Sequence, residues 1–596
     1  MNKLKTAWDF SHMYKGIKDP KIEKDVQGYV RAYKTFTAKY KDKKFVNSVS
    51  GLAQAMKDWN TLHETTSPRA LWYLYLEGRR DTGNTELQAE TARLDDMFKK
   101  GYKEIIFFSS AVSNIESKKQ AVFLKDKRLA PYRYALKVMF AKGKYKLSDA
   151  EERIMTEKAT VAHGAWVKAM TKYQNAQKVK KGKKWISLSE ALSSKAELPR
   201  AERRALHKTV MEKYKEISFL AEAELNAIVR NRIIDCDIRG YKTPYEPTVL
   251  SYQNDLKSIE SLVAAVTASN PIAHKFYSLK AKILNKVEKT GEKKITMAEF
   301  ATTVSTTEGQ SKNVSFEEAA KIVKGALAEA SPEFGDMFQT YLDNAQLDVF
   351  PKQGKQIGAF CWGMIGSDRT RVFLNYSGRL KDISTIAHEM GHAIHWDLAK
   401  VQPAMYQDFT ISVAEVASTF FENILFDKLL ETATADEKRD LMLNDIQGRI
   451  NTIHAQIAYF QFEKKLHAAV REQGYVSKEN IAKMFADCRR SYIGDAIEIT
   501  EDDGYGYVYI SHFRRFFYVY SYAYGQLIAD ALYTEYKKDK RFIEKVKKFL
   551  RAGGSMSPAD IFKSIGIDTT KPDFFKKGLK KLSDDLEKVS KMVRLR

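Results

Sequence analysis

Along most of this chain apolar residues recur at three- and four-residue intervals between charged ones, the period of helices that bury one face. Turn-forming residues are scarce: 30 glycines and 12 prolines in 596 residues, about 7% against a usual value near 12%. The pattern predicts long helices with few breaks, hence a mostly α protein. Two stretches carry more than plain amphipathicity. In Ile383–Leu398, apolar Ile386, Ala387, Met390, Ala393, Ile394 and Trp396 surround polar positions, and Asp382 or Ser384 is placed to cap the start. Gly391 falls mid-helix, where glycine costs about 1 kcal/mol relative to alanine, so something is expected to pack close to it. In Ser412–Leu425 the composition is strongly apolar, yet Glu415, Ser418, Thr419 and Glu422 recur at i, i+3, i+4 and i+7 and form one polar stripe. Before these helices, Ile357–Trp362 and Arg371–Tyr376 are rich in β-branched or aromatic residues and predict a small β-sheet beside the first of them.

At 596 residues a single small core is implausible, and two helical lobes with a cleft between them are expected. The basic run Lys178–Lys184, followed by a capping-box pattern at Ser187–Glu190, is the natural boundary. It divides the chain into a helical region 1–185, suited to be a cleft wall or lid, and a catalytic domain 186–596. No repeat with a period of 20–50 residues is evident.

The chemistry concentrates in His388-Glu389-Met390-Gly391-His392. Imidazoles at i and i+4 share one helix face and can reach one zinc ion, while the glutamate after the first histidine points to a different sector, where it can act as a general base. The pattern alone arises by chance in roughly one or two such chains per hundred, so a third ligand has to be found. A metzincin would need glycine three and histidine six residues after His392, but those positions hold His395 and Leu398. The polar stripe supplies the alternative. A carboxylate buried on so apolar a helix costs several kcal/mol unless a cation or strong donors satisfy it, which makes Glu415 the expected third ligand. Glu422, two turns on, suits an acceptor that orients a ligand imidazole through its other nitrogen. Pairing of both glutamates with some of the many lysines is the plain alternative. A third cluster, Tyr505, Tyr507, Tyr509, Tyr518, Tyr520, Tyr522 and Tyr524 with His512, holds phenols that need partners when buried. His512 and Tyr520 are the candidates to donate to an oxyanion or a substrate backbone; an aromatic core is the other reading of these tyrosines.

The formal charge of +24 raises the possibility of nucleic-acid or anionic-membrane binding. The lysines are dispersed over all regions and mostly interleaved with acids, and no Arg-rich recognition helix or zinc-finger spacing occurs, so neither nucleic acid nor membrane is expected as a partner. A basic surface would still favour acidic peptides. Cys236, Cys361 and Cys488 are widely spaced, which suggests neither a disulfide framework nor a thiolate metal site. The opening residues lack an apolar signal core and no apolar run is long enough to span a bilayer, so a cytoplasmic location is expected. Asn313-Val-Ser315 matches a glycosylation acceptor that would matter only after secretion.

Ordered matches nearly end to end make the chain resemble the thimet/oligoendopeptidase F family of zinc metallopeptidases, more closely its oligoendopeptidase F branch. They are Trp8-Asp-Phe-Ser11, Asp19-Pro-Lys-Ile-Glu23, Arg239-Gly-Tyr241, Gly354–Trp362, Asn375-Tyr-Ser-Gly378, His388–His392, Val413–Phe420, His512-Phe513, Phe517-Tyr-Val-Tyr520, Leu550-Arg-Ala-Gly-Gly554 and Gly566-Ile-Asp568. The resemblance implies a two-lobed helical zinc peptidase fold with an enclosed cleft. It also implies one Zn2+ per chain held by His388, His392 and Glu415, Glu389 as the base, and hydrolysis of internal bonds in short peptides. It departs from the family at Ile510-Ser-His-Phe513, where the family has proline second, and at Tyr522-Ala-Tyr-Gly525, where it has threonine third. Angiotensin-converting-enzyme-like dipeptidyl carboxypeptidases, which share the Met in the motif and a distant glutamate ligand, are the runner-up. Oligomeric state is left open.

Overall fold

The computed structural model describes residues 4–305, 313–366 and 368–593. Helices dominate, and the seven strands among the described residues are four residues long at most. In chain order these are β1 (Lys178–Lys181), β2 (Lys184–Ser187), β3 (Ile295–Thr296), β4 (Leu347–Asp348), β5 (Phe360–Trp362), β6 (Arg371–Phe373) and β7 (Ile497–Glu498).

The chain forms two compact units, each assembled from three separate segments. The first comprises Met1–Lys144, Gln310–Leu429 and Leu532–Ile567; the second comprises Tyr145–Gly309, Leu430–Ala531 and Asp568–Arg596. The expected division at 185/186 therefore falls inside the second unit. The basic run Lys178–Lys184 is not a linker there but most of a hairpin, β1 pairing antiparallel with β2 and Val179 opposite Ile186, both buried.

In the first unit the N-terminal helices pack around stacked aromatic rings, Trp59 on Phe108 at 4.5 Å and Phe45 on Phe108 at 4.9 Å between centroids. The same core takes in Phe373 of β6 and Met364 beyond β5. The opening segment is bound directly to the sheet: the Trp8 indole N–H donates to the carbonyls of Gln346 and Val372, at 2.9 and 3.0 Å. Arg80 and Lys355 both pair with Asp348 of β4, at 2.8 and 2.7 Å. The contacts of Trp8 and Arg80 span more than 250 residues of sequence, which is why no local composition signal marks the boundary.

The sheet of this unit has the order β4, β6, β5. β6 runs parallel to β4 and antiparallel to β5, with Cys361 opposite Val372, so β5 is an edge. Both ladders are shorter than the predicted strands. Upstream of β5, Gly358 takes φ +95°, and the Asn375 side-chain amide, rather than a backbone partner, donates to the carbonyls of Gln356 and Gly358 at 2.8 and 2.7 Å.

The second unit is built on the 40-residue helix Arg200–Arg239, which ends where Gly240 adopts the left-handed conformation at φ +76°. Its aromatic segment forms two short 3-10 helices, Asp502–Val508 and Ser511–Arg514, followed by Phe516 and Phe517, both at positive φ. That turn is clamped by Glu463, which accepts from the Phe517 N–H at 2.8 Å, and by the Thr248 hydroxyl, which donates to the Phe516 carbonyl at 3.0 Å.

Candidate metal centre

The motif helix runs from Leu380 to Ala399. It starts earlier than the predicted cap: Asp382 lies within the first turn and its carboxylate accepts from the backbone N–H groups of Ser377 and Arg379, at 2.7 and 3.2 Å. Ile383, Ile386, Ala387, Met390, Ala393 and Ile394 are buried, as the pattern requires. The neighbouring helix Ile411–Thr432 crosses at Gly391, where an added Cβ would lie 2.6 Å from Ser418 Cα and 3.1 Å from the Ala417 carbonyl oxygen. Only glycine allows that approach, and the approach is what brings Glu415, one turn before Ser418, to the histidines.

His388 Nε2 lies 3.2 Å from His392 Nε2, and the two stand 3.7 and 3.9 Å from Glu415 Oε2. A triangle with these sides has its centre about 2.1 Å from each corner, the length of a zinc–nitrogen or zinc–oxygen bond. The nitrogen of His388 that faces away, Nδ1, is hydrogen-bonded to Glu422 Oε1, which fixes the ring with Nε2 toward the other donors. The ring of His392 is hydrogen-bonded to the backbone of Ala414. Glu415 Oε2 accepts from the Ser418 hydroxyl at 3.2 Å. The donor set therefore fits a zinc ion in both spacing and orientation.

The electrostatics point the same way. Burial opposes a charged His388, but the hydrogen bond to Glu422 and the carboxylates of Glu422, Glu389 and Glu415 outweigh it and push His388 up to about 9. His392 is driven far down by burial and then by the neighbouring His388 cation. Burial raises Glu415. Of the two imidazoles only His388 is driven toward the cation, and the carboxyl groups of Glu389, Glu415 and Glu422 lie around it, an acid-rich cluster whose charge a divalent cation would balance.

Glu389 is 6% exposed, close enough to His388, Glu415 and Glu422 to interact with them electrostatically, and its carboxylate accepts a hydrogen bond from the Cys361 N–H of the edge strand. Burial pushes it up to about 7, His388 opposing and the other two glutamates assisting. A carboxyl group poised near neutrality is what a proton-transfer catalyst needs. Two features of this wall escape a reading of the sequence. One is the Cys361 N–H. The other is Gly363, where an added Cβ would sit 1.9 Å from the Trp396 indole, so the strand exit lies flat on the motif helix. The signal available for the second was a glycine just after a strand with a large aromatic on the next helix. His395 is not part of the cluster: it is fully buried, stacks on Phe409 at 3.6 Å, and burial takes it down to about 3.

His512 and Tyr520 belong to the second unit. His512 Nδ1 is hydrogen-bonded to the Tyr518 hydroxyl, and Tyr520, fully buried, accepts from the Asn254 amide at 3.0 Å. Burial lowers His512 and raises Tyr518, so both are neutral at pH 7. Tyr518 as the partner of His512 was not singled out from sequence.

A mostly helical frame that brings two motif-helix histidines and a glutamate from the next helix together, beside a buried carboxyl group, defines a metallopeptidase. The model of peptidase family M3 matches residues 195–581, and the chain belongs to that family; a second model, described as oligopeptidase F, matches residues 113–172. Among relatives, oligopeptidase PepF of Bacillus subtilis is 25% identical over 567 residues, covering 93% of this chain and 83% of the relative. An oligoendopeptidase F homolog of Lactococcus lactis is 23% identical over 540 residues, covering 87% of each. Among solved structures, a putative peptidase from Chlamydophila abortus superposes with TM-score 0.86 at 20% identity over 99% of this chain and 98% of that one. Oligoendopeptidase-F from Enterococcus faecium does so with TM-score 0.69 at 19% identity over 96% and 98%. These two carry the fold.

Proposed function

We propose that this metallopeptidase is a zinc oligoendopeptidase that cleaves internal bonds of short peptides, with His388, His392 and Glu415 holding the ion, Glu422 orienting His388, and Glu389 acting as general base. The observation that carries this reading is the convergence of three donor atoms on one point while His388 Nδ1 is tied back by Glu422. Bound there, zinc supplies Lewis acidity to the scissile carbonyl and to the attacking water.

Glu389 takes the proton of that water and delivers it to the leaving amine; its burial raises its proton affinity, against which the charge of a bound ion would act. Its hydrogen bond to the Cys361 N–H keeps the carboxylate against β5. β5 is an edge of its sheet, to which an extended peptide would add through main-chain groups other than the Cys361 N–H, a mode that tolerates many side chains and suits an oligopeptidase. His512, supported by Tyr518, and Tyr520 are assigned to donate to the oxyanion or to the substrate backbone as neutral groups, without adding a fixed charge.

We place the enzyme in the cytoplasm: its three cysteines are free thiols, and no helix among the described residues is long and apolar enough to cross a membrane.

Metal analysis combined with mass spectrometry of products from a mixed peptide library tests the proposal. Stoichiometric zinc with internal cuts is expected. Successive loss of C-terminal dipeptides would make it a dipeptidyl carboxypeptidase, and absence of cuts together with tight, salt-dependent DNA binding would remove the enzymatic reading.

A further inference from the structure

The charge of +24 is not spread evenly. Over residues 158–189 there are eight lysines, Lys158, Lys168, Lys172, Lys178, Lys180, Lys181, Lys183 and Lys184, with no aspartate, glutamate or arginine among them. Lysines are mostly interleaved with acids elsewhere in the chain, but not here. The segment forms the end of the helix Asp149–Ala159, the helix Ala165–Ala176 and the β1–β2 hairpin, all in the second unit. Seven of the eight lysines are exposed, and among the described residues none of them pairs with a carboxylate, whereas lysines elsewhere repeatedly do so, as in Lys99–Asp95, Lys213–Glu216 and Lys580–Asp584.

The hairpin sorts its side chains by face. Val179 and Ile186 are buried, while Lys178, Lys180 and Trp185 are exposed on the opposite face. Trp185 is 61% exposed, and the Lys180 ammonium lies over its ring at 5.5 Å. An indole left in water costs hydrophobic free energy, and nothing in the hairpin's own packing requires it.

We propose that this hairpin, with the lysines of the preceding helix, is a peripheral docking surface for an anionic lipid bilayer. Three observations favour lipid over nucleic acid. The charges are all lysine, compact ammonium groups that suit a diffuse anionic surface, with none of the guanidinium forks that grip phosphates in bidentate fashion. The single exposed indole matches an interfacial anchor, whereas single-stranded nucleic acid is held by a series of stacking platforms. Finally, the surface is the outer face of a two-stranded hairpin, and no groove is needed to meet a bilayer. The docking would hold the enzyme at the membrane surface without any spanning segment.

The full-length protein is to be sedimented with phosphatidylcholine vesicles with and without phosphatidylglycerol at low ionic strength, and compared with two variants of equal net charge. One carries Lys178→Glu, Lys180→Glu and Lys183→Glu in the hairpin. The other carries Lys118→Glu, Lys119→Glu and Lys125→Glu on the helix Ser117–Lys125 of the first unit. The proposal expects binding to the anionic vesicles only, weakened at least roughly a hundredfold by the hairpin variant from about fivefold per lysine and little changed by the control, with hydrolysis of a soluble peptide unchanged in both. It also expects a blue shift of tryptophan emission on vesicles that Trp185→Phe removes. Absence of binding, or equal loss in both triple variants, would overturn it. Displacement of the protein from vesicles by a single-stranded oligonucleotide at lower concentration than free anionic lipid would replace it with the nucleic-acid reading.

Discussion

The helix pair around the metal centre and the aromatic segment 505–524 are equally rich in chemical groups, yet they differ in what fixes their geometry. In the first, spacing along two helices does nearly everything: i and i+4 put the imidazoles on one face, and i and i+7 put Glu415 and Glu422 on another. The one tertiary requirement, a close crossing, is itself written as Gly391. In the second, the backbone passes through two 3-10 helices and a pair of positive-φ phenylalanines before helix Tyr520–Lys538 begins. Neighbours there are decided by distant groups, Glu463, Thr248 and Asn254, that no periodicity connects to the segment. Function is legible from sequence where the secondary structure is regular enough to be a ruler.

The largest expected effect separates the base from the ligands. Glu389→Gln keeps the size of the side chain but cannot accept a proton near neutral pH. Zinc content and peptide affinity should stay at wild-type levels while turnover falls by at least about 10²–10⁴-fold. Loss of zinc instead would mean that Glu389 supports the metal and the base lies elsewhere.

The aromatic segment gives the next effect. If His512 donates to the oxyanion, His512→Phe should lower kcat by roughly 10²–10³-fold with little change in KM. Tyr518→Phe should cost less, because it removes only the group that orients the ring. Equal, small effects from both would return this segment to the role of a packed aromatic core and leave the metal centre as the only legible chemistry.

How far each region could be read ahead of the structure follows from these contrasts. The mostly helical class, the motif helix, Glu415 and Glu422 rest on local periodicity and the two strands before the motif on local composition; the structure places the two histidines, Glu415 and Glu422 together and pairs the strands over a shorter stretch. The division into units was not legible. Trp8 binds β-sheet carbonyls more than 330 residues away, and such contacts leave no trace in local composition. The same limit hid the Cys361 N–H behind Glu389. The basic run Lys178–Lys184 is visible in the sequence, but it reads there as a boundary, and its continuation back to Lys158 without an acid between escapes that reading.

A smaller effect tests the outer support of the metal centre. Glu422→Gln weakens the hold on His388 Nδ1 and should reduce zinc affinity about 10–100-fold. It should also change the pH dependence. Without metal, His388 titrates near 9, so below that pH zinc must displace its proton and affinity should rise with pH until about 9. Calorimetry in buffers of different ionisation enthalpy should therefore detect proton release on zinc binding at pH 7–8, diminished in Glu422→Gln. Release that is identical in both proteins would show that Glu422 does not set the His388 titration.

The smallest of these effects concerns the helix crossing. Gly391→Ala gains about 1 kcal/mol of helix propensity but forces a Cβ to within 2.6 Å of Ser418 Cα. Overpacking of this kind costs typically 1–3 kcal/mol, so a modest net loss of thermal stability, together with weaker zinc retention as Glu415 is pushed back, is expected. A variant that is more stable and retains zinc normally would mean that the crossing can relax without moving the ligand.

The central claim is that Glu415, from the second helix, completes a zinc site begun by the motif histidines, and zinc stoichiometry of purified Glu415→Ala measures it directly. The account predicts loss of stoichiometric zinc and near-zero turnover, with the helical circular dichroism of the wild type preserved. A folded Glu415→Ala protein that keeps one zinc per chain and normal activity would contradict it and make Glu422 the third ligand.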